Sequence, residues 1–163
     1  MSRTSLPDHE VQSLDRLAHV NIVYLLLLTV GSFFAGAIAL KSPALLPLAA
    51  PALLGLCGSA TAALTSCLDR YAVGFERENG KPFPEEAKGG KFNRRFSRWL
   101  FTRPFLGSVV APVFIWGLSR FTKTSEAFLS SAELLGFTAF MSGLLAKSVL
   151  DLIKNLFKNV FKS

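Results

Sequence analysis

Charge falls along this chain in blocks, and the uncharged stretches between them are as long as a bilayer is thick. Residues 20–40 (VNIVYLLLLTVGSFFAGAIAL) contain no Asp, Glu, Lys or Arg. At about 1.5 Å per residue, a helix of that length crosses the roughly 30 Å of a hydrocarbon core. Residues 44–67 form a second uncharged run, separated from the first only by Lys41, Ser42 and Pro43. That short connection predicts an antiparallel helical hairpin. A third run covers 104–119 and is short for a span, but Trp99 to Thr102 extend it. A fourth covers 127–146 and carries one charge, Glu133. A helix buried in a water-soluble core keeps a polar stripe, and the first two runs have none. The pattern predicts an all-α polytopic membrane protein, a single membrane domain over 1–163. Its four transmembrane helices lie at about 20–40, 44–67, 100–119 and 127–146.

The basic residues set the expected topology. The N-terminal segment, the 69–103 loop and the 147–163 tail hold 15 of the 18 Lys and Arg, leaving Lys41, Arg120 and Lys123 for the other side. Basic residues concentrate on the cytoplasmic side of membrane proteins. Both termini and the loop are therefore expected in the cytoplasm, with an even number of spans. Two spans plus a re-entrant hairpin satisfy the same count. Acids at Asp8, Glu10 and Asp15 precede the first apolar run, so the segment does not read as a signal peptide. Leu64, Leu68, Tyr71 and Phe75 share a face, which extends the second helix beyond its span. Val11, Leu14, Leu17 and Ala18 give the N-terminal segment an apolar side. The expected shape is a membrane bundle whose helices run on into a small basic cytoplasmic collar.

Small residues recur at four-residue steps, Gly31, Ala35 and Ala39 in the first run and Gly55, Ser59 and Ala63 in the second, while Ala132, Gly136, Ala139 and Gly143 share one face of the fourth. Such stripes let helix backbones approach closely in lipid, where no hydrophobic drive exists. They serve packing within one chain or contact between subunits, and Gly136 and Gly143 are candidates for the latter. Pro47 and Pro51 predict a kink in the outer half of the second helix. Glu133 either reaches the outer interface or lines a cation path in an oligomer. The tail reads KSVLDLIKNLFKNVFKS, with Ile153, Leu156 and Val160 on an apolar seam. It is expected to continue the fourth helix, lying on the inner leaflet or bundling with copies of itself.

The end of the loop, KFNRRFSRWLFTRP, places Phe92, Phe96, Trp99 and Leu100 on one helical face and Arg94, Arg95 and Arg98 on the other. One expectation is a helix lying on the membrane, rings down and guanidinium groups on lipid phosphate. The other is a site for an anionic ligand, nucleotide or nucleic acid, to which Arg103 and Trp99 also contribute. Five acids in the same loop count against a pure nucleic-acid surface. The chain carries no phosphate-binding GxxxxGK[ST] loop, no HExxH and no GxSxG, so no enzyme and no cofactor are expected. Cys57 and Cys67 lack redox or zinc spacing.

RPFLG at 103–107 and FMSGLLAKSVLDLI at 140–153 look like a paired membrane-helix module of small bacterial membrane proteins. In general plan the chain resembles the small four-helix membrane effectors of bacterial anti-phage defence systems. The resemblance implies an inner-membrane homo-oligomer, a tetramer in many cases, that conducts ions or disrupts the membrane. A cytoplasmic partner protein or nucleotide-type signal would gate it. The functional expectation is an oligomeric effector or channel controlled at its basic cytoplasmic face. The alternative is a non-conducting anchor or scaffold that recruits a cytoplasmic partner.

Overall fold

The computed structural model describes residues 6–42, 48–76, 90–121, 131–148 and 150–151. These form four helices: α1 (Asp8–Leu40), α2 (Ala49–Val73), α3 (Arg94–Phe121) and α4 (Ala132–Leu144). The first three are long and apolar enough to cross a membrane.

α1 joins the N-terminal amphipathic segment and the first apolar run into one helix of 33 residues. Asp8 and Glu10 occupy its first turn, where negative charge meets the positive end of the helix dipole. α2 likewise runs past its apolar stretch. Pro51 lies in the first turn of α2, where its missing N–H has no intrahelical acceptor to lose. Pro51 therefore removes no intrahelical hydrogen bond, and Pro47, the other residue of the expected kink, lies outside the described residues. α2 stops at Gly74, whose φ of +107° and ψ of −165° suit glycine alone. Phe75 then pairs with Phe92 in a short parallel bridge, closed by Phe92 N–H to the Gly74 carbonyl at 2.8 Å.

α3 departs from expectation. The amphipathic stretch and the third apolar run form one helix of 28 residues, with Pro104 and Pro112 inside it. The segment is thus the head of a long helix rather than a separate helix lying on the membrane. Asn93 caps it, its Oδ1 accepting the Phe96 N–H at 2.8 Å. α4 has 13 residues, about 20 Å of helix, which is less than a full span. Ser131 caps it by accepting from Leu134 N–H, and after a single turn residue at Leu145 the chain is helical again at 146–148 and 150–151, in the direction of the tail.

α2 is the central element and packs against α1, α3 and α4. Its small residues make this possible. A Cβ added at Gly107 of α3 or at Gly143 of α4 would strike the carbonyl oxygen of Gly55. One at Gly58 would strike the Phe140 carbonyl. The outward faces are apolar: Leu27 of α1 is 68% exposed, Val109 of α3 64% and Phe137 of α4 63%. A water-soluble monomer does not present such continuous apolar surface.

Candidate functional site

The N-terminal end of α1, the C-terminal end of α2 and the N-terminal end of α3 meet at one end of the bundle. Phe92, Phe96 and Leu100 are buried there, with Ala18 and Leu25 of α1 and Ala63 and Cys67 of α2. Arg70, in the last turn of α2, is 4% exposed, its guanidinium 3.9 Å from the centre of the Phe96 ring and donating to the Lys91 carbonyl. Tyr71 donates to the Asp15 carboxylate at 2.9 Å, tying α2 to α1. The buried Asn21 of α1 donates to Ser97 Oγ of α3 at 2.7 Å and to its own Leu17 carbonyl.

This packing fixes the arginines. The 3.6-residue period separates Phe96 and Leu100 from Arg94, Arg95 and Arg98 as expected, whereas Phe92 reaches the same core from the bridge ahead of the helix and not from a helical face. The rings, however, meet protein rather than lipid. With that face spent on α1 and α2, the guanidinium groups turn outward, and Arg94, Arg95 and Arg98 are all exposed.

Arg94 and Arg98 enter a groove of about 450 Å³ between α1 and α3. Arg16 of α1 joins them, with Ser13 and Ser97 beside them and Leu17, Val20 and Phe101 further along. The Arg94 guanidinium reaches Ser13 Oγ at 3.5 Å. The lining residues include three cations and no acid. Arg16 was legible in the sequence only as part of a charge count, and Ser13 not at all. Their four-residue register with Leu17 and Val20, facing the start of α3, is a tertiary fact.

The other candidates lie elsewhere. Arg95 is exposed but outside the groove, and Trp99 is half-buried against the core cluster. Arg103 turns toward α2 and donates to Ser66 Oγ at 2.8 Å, so it works between helices rather than with Arg94 and Arg98. Glu133 lies in the first turn of α4, not two turns inside a span, where the helix dipole favours a carboxylate. It lines an apolar crevice of about 370 Å³ with Gly136, Phe33, Leu40, Phe137 and Phe140. Gly136 faces Leu40 and Leu54, and Gly143 faces Gly55. Both are packing positions within this chain rather than free surface for a second copy. Ile153, Leu156 and Val160 lie outside the described residues. Cys57 and Cys67 are free and buried.

Comparison with known protein families, curated proteins and solved structures finds no match.

Proposed function

We propose that this chain is a polytopic membrane protein that acts by binding, through its basic end, an anionic ligand or partner on the cytoplasmic side. The convergence of Arg16, Arg94 and Arg98 on one groove without a lining acid carries this reading. The ends of three helices meet where the loop and the N-terminal segment concentrate their Lys and Arg, and basic residues favour the cytoplasmic side. With α4 in a fourth pass, both termini lie inside. The arrangement favours the docking or scaffold reading over a conducting pore. Gly136 and Gly143, which suggested subunit contacts, instead pack within the chain, against Leu40 and Leu54 and against Gly55.

The test is binding of a fluorescent polyanion to the purified protein in neutral detergent. Wild type binds with a strong salt dependence, because exposed charges are screened. The R16Q/R94Q/R98Q variant loses that binding. Equal binding by the triple variant overturns the reading.

An oligomeric effector, as the four-helix plan suggests, retains one supporting observation. Glu133 sits on the outward side of α4, beside the exposed Phe137. Mass measurement in detergent tests it. A tetramer supports a conducting assembly with Glu133 at its subunit contacts, and a monomer ends it.

A further inference from the structure

The groove between α1 and α3 is graded along its length. At one end stand Ser13, Arg16 and Arg94; then Leu17, Ser97 and Arg98; and at the other end Val20 and Phe101. Residues 13 to 20 of α1 and 94 to 101 of α3 both cover seven steps of helix, about 10 Å. Both helices run in the same direction, since Ser13 meets Arg94 and Asn21 meets Ser97. Polar and cationic groups therefore give way to apolar ones together on the two walls.

Beyond Val20 and Phe101 the apolar surface continues outward. Val20 is 51% exposed, and Val23 and Leu27 of α1 and Phe105 of α3 are each more than half exposed. Tyr24 stacks on Phe101, ring centres 4.8 Å apart, and its hydroxyl reaches the Phe101 carbonyl at 3.4 Å. A tyrosine at that depth suits the boundary between headgroups and acyl chains.

We infer that this groove is a binding site for one anionic glycerophospholipid of the cytoplasmic leaflet. Arg16, Arg94 and Arg98 hold its phosphate, with Ser13 and Ser97 as added hydroxyl donors, and the start of an acyl chain lies over Val20 and Phe101. The inference rests on the proposed function and narrows its ligand. A free nucleotide or inorganic phosphate satisfies the arginines but leaves the apolar half of the groove unused. A lipid fills both halves, and a basic pocket between helices at the cytoplasmic surface is a recurrent headgroup site. Arginine suits the role because its planar fork takes two phosphate oxygens at once.

The experiment is native mass spectrometry of the full chain from neutral detergent. It is titrated separately with phosphatidylglycerol, phosphatidylcholine and glycerol 3-phosphate. Phosphatidylglycerol is expected to stay bound as a single adduct, with phosphatidylcholine and glycerol 3-phosphate each retained at least about tenfold less. Each basic residue beside an anionic lipid contributes about fivefold, so R16Q/R98Q weakens the adduct by about thirtyfold. R95Q, outside the groove, leaves it unchanged. Circular dichroism of each variant confirms that the helices persist. Equal retention of phosphatidylcholine overturns the inference, as does an R95Q loss matching that of R98Q, which would mean diffuse charge and no site. Glycerol 3-phosphate binding as tightly as the lipid removes the lipid while leaving the anionic-ligand reading standing. Retention of no anionic probe removes both.

Discussion

Gly55 is where three helices come closest. Its carbonyl oxygen is the first atom that a methyl group would meet at Gly107 on α3 and at Gly143 on α4. In lipid, packing rather than hydrophobic drive holds helices together, so a lost approach here is felt directly. Gly143→Ala is expected to destabilise the bundle by about 1–3 kcal/mol, the usual cost of overpacking. Gly117→Ala is the matched control, because nothing lies within 4 Å of the added carbon. Thermal unfolding in detergent reads both: the melting temperature falls for the first and holds or rises for the second, since alanine is the better helix former. A Gly143→Ala protein that melts with wild type would mean that α4 does not pack on α2 as described. Small residues at four-step spacing were readable from the sequence. Which partner each glycine meets was not, because periodicity gives a face and not what covers it.

The same limit holds for whole elements. The spans of α1 and α2 were legible because an uninterrupted apolar run of that length has few other uses. The division of the α3 head into aromatic and arginine faces was legible for a similar reason, the 3.6-residue repeat. The third span was legible from about residue 100, through Arg103 and Pro104, but its start at Arg94, which makes the whole arginine segment part of the same helix, was not. One available signal was missed. Asparagine directly before a helical stretch is a preferred N-cap, and Asn93 fills that role. Ser131 does the same for α4 and sets its start later than the apolar run suggests. Asn93→Ala is therefore expected to cost about 1 kcal/mol by exposing the first turn of α3, whereas Asn93→Ser retains most of the cap. Thermal melts of the two variants check this, and equal melting of both would remove the capping role. Because Phe92 and Phe96 flank the cap in the core, Asn93→Ala should also weaken lipid retention in the groove without touching an arginine.

At the scale of the molecule, the question is which end faces the cytoplasm. Arg95 at the head of α3 and Lys41 at the end of α1 are both exposed, and they lie at opposite ends of the bundle. The two native cysteines are buried in α2, Cys57 at 2% and Cys67 at 0% exposure, so a water-borne thiol reagent has little native background. Single substitutions Lys41→Cys and Arg95→Cys therefore report each end separately. On intact spheroplasts, a membrane-impermeant maleimide is expected to label Lys41→Cys at once and Arg95→Cys only after permeabilisation. The charge distribution motivates this order: 15 of 18 basic residues would have to cross the membrane in the opposite arrangement. Exposed Leu27, Val109 and Phe137 need an apolar covering around the middle of the bundle, which lipid supplies in either orientation. The reverse labelling pattern would put the arginine groove outside the cell and end its cytoplasmic assignment. Labelling of both positions without permeabilisation would mean that α1 does not separate two compartments, and the apolar belt would then belong to a protein interface.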